Sequence, residues 1–155
     1  MQIEAEIVEY PEVDMLAESA SCHRAELGPT IGRLFGSIQA QSIGVEMVDA
    51  PRVYYLEWDG ENALIQAGIP VDESVPPRGD VQKVHVPGGL ALTTTYFGPY
   101  EGLASAWAAL LAEAERRQLS LSGMAWDDYQ TDPADEPDPS RWQTDLYLGI
   151  VVQNA

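Results

Sequence analysis

Residues Gly123 to Pro133 read GMAWDDYQTDP and put two acids between a tryptophan and a tyrosine. Aspartate is depleted from strands because its short polar side chain competes with the backbone for hydrogen bonds. A strand here therefore implies a use that offsets the cost. Period-two alternation places Met124, Trp126 and Asp128 on one face, and Ala125, Asp127 and Tyr129 on the other. Asp127 then lies beside a phenol. A buried carboxylate is expensive alone but stays charged when it accepts hydrogen bonds or faces a cation. Such a group either binds a cationic ligand or positions and deprotonates water while a tyrosine hydroxyl donates to the leaving group. An ordinary pKa of about 3.9 makes aspartate a weak base, which favours binding over hydrolysis.

Aromatic faces attract organic cations by roughly 0.5–2 kcal/mol each. Tyr129, Trp107, Tyr96 and one of Tyr54 or Tyr55 are the candidate walls around an Asp127 floor. Strand alternation lets only one of Tyr54 and Tyr55 face a shared site, and Tyr55 is preferred. Trp107 lies on the apolar stripe of a helix, where core packing and a ligand wall are both open readings. Trp126, on the face opposite Asp127, is expected to pack, and Asp128 to be an exposed strand acid. Glu101 falls in a first helical turn, where a negative charge stabilises the N-terminus. His85 has no acid or cysteine at triad or metal-ligand spacing. Cys22 and His23 are adjacent, and neighbours in sequence rarely face each other, so no nucleophile–base pair is expected. Gly98 and Gly88-Gly89 serve turns, since no lysine or serine completes a phosphate loop.

Twenty-five acids against eight bases give 155 residues a formal charge of −17, and Lys83 is the single lysine. Phosphate backbones are held by clustered lysine and arginine, so direct nucleic-acid binding is not expected. The charge suits a cationic partner, or serves solubility, or a salty cytoplasm where acid-rich, lysine-poor surfaces are common. One cysteine excludes an internal disulfide and gives no metal-ligand spacing. No metal or cofactor is expected. The sequence lacks an apolar run near the ~18 residues of a membrane span, and its first residues lack a secretion signal, so a cytosolic protein is expected.

The elements that must position these residues repeat. At one fixed offset Pro11 aligns with Pro87, Leu16 with Leu92, Leu27 with Leu103 and Leu34 with Leu110. Each half reads strand, turn, strand, helix, strand, strand, as after a duplication. The repeat sets Tyr54 and Tyr55 against Tyr129. In the second half, Val81–Val86 alternates, stops at Pro87-Gly88-Gly89 and continues as Leu90–Phe97, which predicts a hairpin. A helix follows Gly98-Pro99-Tyr100, with Leu103, Trp107, Leu110, Leu111 and Ala114 on its apolar side and Arg116 and Arg117 at its end. Strands are predicted around Met124–Gln130 and Gln143–Val152, flanking a solvated loop at 132–141. The first half predicts strands Ile3–Glu9 and Asp14–Ala20, a helix from about Leu27 with Pro29 in its first turn, then Arg52–Trp58 and Ala63–Ile69. Module 1 spans about 1–71, a linker about 72–80, and module 2 about 81–155. The pattern predicts an α+β protein, two helices covering one face of an antiparallel sheet.

Several of these residues carry a family resemblance. Tyr96-Phe97-Gly98-Pro99-Tyr100-Glu101-Gly102-Leu103, then Trp107 and Leu110, an acid two residues before Tyr129, and Thr144-Asp145-Leu146-Tyr147-Leu148 resemble the GyrI-like small-molecule-binding family. In the first half, Leu27–Phe35 and Gln66–Val71 fit too, so the resemblance covers nearly the whole chain. These proteins are relatives of the effector-binding domains of AraC- and MerR-type multidrug regulators, in the SOUL/GyrI-like superfamily. The resemblance implies two tandem βαββ modules with pseudo-twofold symmetry and a ligand groove between them. It implies a stand-alone module binding amphipathic, aromatic or cationic compounds, with hydrolysis of cyclopropane-bearing compounds as an alternative. A protein-interaction role, such as gyrase inhibition or service to a separate regulator, stands third. Both halves are spoken for, so no DNA-binding helix pair is expected. The family's glutamate two residues before a tyrosine carries over to Asp127 and Tyr129, shorter here by one methylene.

Overall fold

A computed structural model describes residues 3–151; Val152, expected to end the last strand, lies outside them. Among the described residues eight strands and two α-helices run in the order β1 (Glu6–Tyr10), β2 (Val13–His23), α1 (Leu27–Gln41), β3 (Arg52–Trp58), β4 (Asn62–Val71), β5 (Gln82–Val86), β6 (Gly89–Phe97), α2 (Leu103–Arg116), β7 (Ser120–Tyr129) and β8 (Gln143–Val151). The protein is α+β and its strand pairs are antiparallel, as the alternation and turns require. It consists of two compact units. One takes the residues through Pro11 and from Gly88 onward; the other is Glu12–Pro87.

The first of these units orders its strands β1-β6-β8-β7, and the second β3-β4-β2-β5. The hairpin expected from Val81 to Phe97 does not form. β5 pairs with β2, Asp14 opposite His85, and β6 pairs with β1, Ile7 opposite Leu92. Pro87-Gly88 carries the chain from one unit to the other, and Pro11-Glu12 does the same after β1. A proline and glycines between two alternating runs mark a break in direction, and local signals do not say which strand receives each run.

In the unit that holds α2, Leu92, Leu146, Leu148 and Ile150 project from β6 and β8 against Ala106, Leu110 and Ala114. Helical residues at four-residue steps stack on one face, which fits the flat side of a sheet. Leu111, expected on that stripe, is exposed, because the buried line runs through Ala106 instead. The face of the same four strands opposite α2 carries Trp126, 1 % exposed, stacked on Tyr147 at 4.9 Å and edge-on to Tyr10 at 4.8 Å. Trp126 is therefore packing. Asp128, expected to be exposed, is buried on that face, in register with Asp145. Alternation assigns a face; it does not say what covers the face.

In the other unit α1 begins at Leu27 with Pro29 in its first turn and buries Thr30, Leu34 and Ile38. Glu18 accepts from Ser37 Oγ at 2.8 Å and Gln41 Nε2 at 3.2 Å, so this carboxylate on the helix side of β2 is satisfied by the helix. Segment 72–80 is tied down rather than loose. Lys83 Nζ donates to the carbonyls of Asp72, Glu73 and Val75, and Gln41 Oε1 accepts from the Asp80 amide. Among the described residues no helix is long and apolar enough to cross a membrane.

Candidate functional site

β7 delivers Asp127 to the helix side of its sheet. Its register partners are Leu146 for Asp127, Leu148 for Ala125 and Thr144 for Tyr129, and Leu146 and Leu148 belong to the core under α2. An irregularity between Leu121 and Ala125, with Gly123 at φ +95°, precedes this stretch. Only glycine takes that conformation at little cost, so the alternation restarts cleanly at Ala125.

Asp127 is 0 % exposed. The Trp107 indole Nε1 donates to Oδ1 at 2.7 Å, and the Tyr129 hydroxyl donates to Oδ2 at 3.3 Å. Trp107 reaches it because one turn of α2 separates it from Leu103 and Leu110, placing it beside the buried line of the helix. Charge-assisted donors of this kind offset the desolvation of a buried carboxylate. The site thus has a carboxyl floor whose oxygens are engaged by the polar ends of two aromatic side chains.

Two aromatics that the residue types alone did not single out as walls extend this group. Tyr100, at 38 % exposure, lies edge-on to Tyr129 at 5.7 Å and tilted against Trp142 at 5.0 Å. Burial and the nearby negative charge of Asp132 raise the Tyr100 phenol above its usual pKa, so it stays protonated at neutral pH. Trp142 Nε1 donates to the Glu136 carbonyl at 2.8 Å, which anchors the acidic 132–141 loop beside the cluster. Tyr100 belongs to the Gly98-Pro99-Tyr100 turn, which is legible in the sequence as a helix start. Trp142 gave no periodic signal at all.

Tyr96 shares this face, but its hydroxyl donates to the Pro99 carbonyl at 2.7 Å, folded back against the turn. A Cβ on Gly102 or Gly98 would strike that ring, so both glycines are needed to seat it. Thr144 sits in register between Tyr96 and Tyr129 and is also 0 % exposed; its hydroxyl finds no hydrogen-bond partner among the described residues.

Tyr54 and Tyr55 lie in the other unit, on opposite faces of β3. Tyr54, 2 % exposed, accepts from Arg52 Nη1 at 3.1 Å on the face away from α1. Tyr55 is half-buried on the α1 side, opposite Ile65, and edge-on to Trp58 at 6.1 Å. A bulge between Tyr55 and Glu57 brings Trp58 back to the same face.

Other titratable groups are accounted for locally. His85 Nδ1 is 2.9 Å from Asp14 Oδ1, and its Nε2 is 3.6 Å from Glu12; the Asp14 hydrogen bond chiefly raises its pKa. His23 Nδ1 accepts from the Ala25 amide, a turn role rather than service to Cys22. Among the described residues no group of three or more His, Cys, Asp and Glu could hold a metal ion. A surface hollow of about 640 Å³ lies outside α2 beside Ala5, Ala109 and Ala112, away from Asp127. Its Arg116 and Arg117 are both spent on Glu113, whose carboxyl they hold down to about 2. A paired, open hollow of this kind has little to offer a ligand.

Solved structures share this fold. The C-terminal domain of EcmrR superposes with a TM-score of 0.82 at 19 % identity, over 99 % of this chain and all of that one. SAV2435, solved bound to tetraphenylphosphonium, gives 0.69 at 10 % identity, covering 96 % and 94 % of the two chains. A hydrolase from Listeria innocua gives 0.65 at 14 % identity, covering 97 % and 93 %. At such identities the likeness is one of fold. No curated protein matches the chain. The GyrI-like small molecule binding domain model matches residues 4–151, and the chain belongs to that family.

Proposed function

We propose that this small-molecule-binding domain takes amphipathic aromatic ligands, cationic ones foremost, at the aromatic group around Asp127. The observation that carries the reading is a fully buried carboxylate whose two oxygens accept from Trp107 and Tyr129. Cation–π attraction and the fixed negative charge behind the rings act together on a positive ligand, and both strengthen as water is excluded. A carboxylate one methylene shorter than the family's glutamate stays in the sheet and exerts its charge through the rings. The fold's likeness to SAV2435, bound to tetraphenylphosphonium, supports the ligand class. A cytosolic setting fits the half-buried free Cys22.

Tetraphenylphosphonium titrated into the protein and followed by tryptophan fluorescence should bind the wild type. Asp127→Asn should lose about tenfold in affinity, equivalent to about 1.4 kcal/mol, with the fold intact by circular dichroism. Superimposable titrations would overturn the reading.

Hydrolysis of strained-ring or ester compounds is a second reading, drawn from the same Tyr129–Asp127 contact. With both carboxylate oxygens already accepting, Asp127 is better placed to hold charge than to activate water. Turnover that disappears in Asp127→Asn while binding persists would reverse this preference.

A further inference from the structure

Across β6, β8 and β7, Tyr96, Thr144 and Tyr129 stand side by side on the helix face, in register. The adjacent row of the same strands holds Thr94, Leu146 and Asp127. Every other hydroxyl or indole N–H with a described partner here is committed to the protein. Tyr96 donates to Pro99, Thr94 to the Glu4 carbonyl, Trp107 and Tyr129 to Asp127. Thr144 Oγ1 alone of this group is buried without a partner among the described residues. A buried hydroxyl left unpaired costs stability, and valine would fill the same space without that cost. A native protein that keeps such a group either satisfies it otherwise or uses it.

Resting on the proposed binding site at Asp127, we infer that Thr144 is its specificity-determining polar contact: its hydroxyl donates to a neutral acceptor, such as a carbonyl or ether oxygen, on an aromatic cationic ligand. The site is otherwise rich in acceptors, through Asp127, and in carbon faces. Among the described residues Thr144 Oγ1 is the buried donor of this group without a partner, and it rewards a ligand for carrying an acceptor beside its rings, as a hydrogen-bonding site rejects analogues that lack the matching group. Tyr129, half-buried at the strand end, stands in register beside Thr144.

The experiment compares two probes, tetraphenylphosphonium and (4-acetylphenyl)triphenylphosphonium, on the wild type and Thr144→Val, together with the melting temperature of each protein. The wild type should prefer the acetyl probe by about tenfold, the order expected for one hydrogen bond in a desolvated site. Thr144→Val should erase that preference, bringing the affinities of the two probes together, and melt at the same temperature or higher. A preference that survives in Thr144→Val overturns the assignment. So does a lowered melting temperature with the preference intact, which would make the hydroxyl structural. If tetraphenylphosphonium binds and no preference exists, this inference fails alone; if neither probe binds the wild type, the binding reading at Asp127 fails and takes it along.

Discussion

Trp107 does two things at once: its ring flanks the core under α2, and its N–H holds Asp127 Oδ1. Core aromatic and site residue were the two readings open to it, and the atoms satisfy both packing and polar demands. Trp107→Phe keeps an aromatic ring but removes the donor. It should cost about 1–3 kcal/mol of stability in urea denaturation, because a fully buried carboxylate loses a charge-assisted hydrogen bond. A change within error would mean that Asp127 draws its support elsewhere. The opposite faces of Asp127 and Trp126 were legible from period two, since alternation is a local property of an extended chain. The depth of Asp128 and the company of Tyr100, Trp142 and Thr144 were not, because burial depends on residues distant in sequence.

β5 shows the same division among elements. Its alternation from Gln82 to Val86 was readable, yet it lies along β2 rather than turning back on β6. That pairing sets His85 opposite Asp14 and near Glu12, acids too far away in sequence to suggest a partner. Lys83 is the other charged side chain on β5, and it points its amine at the 72–75 carbonyls. Because His85 gains its acid partners on folding, its folded pKa lies above the reference 6.5. The linkage is therefore strongest below that reference and disappears as pH rises through the raised value. Hydrogen exchange of β5 amides, corrected for intrinsic rate, should show protection falling over that range in the wild type. His85→Gln should show no such step; identical profiles would refute the coupling. The helices were easier, since four-residue periodicity, a proline at the first turn of α1 and terminal arginines on α2 are all local signals.

At the scale of the molecule, a formal charge of −17 on 155 residues opposes compaction through self-repulsion. Salt screens charges beyond about 10 Å at 0.1 M, so the melting temperature should rise from low salt to 1 M sodium chloride. A flat or falling curve would show that specific ion pairs, such as Glu113 with Arg116 and Arg117, outweigh the general repulsion. The linear chain alone settled the α+β class, both helices, most strand positions and the opposite faces of Asp127 and Asp128, because periodicity and turn chemistry act over a few residues. Only the folded chain decided that β1 and β5 exchange partners, that Asp127 is held by Trp107 and Tyr129, and that Thr144 is buried between two tyrosines. Those outcomes depend on which distant segments meet, and strand pairing is chosen by the burial of whole faces rather than by any signal within one strand.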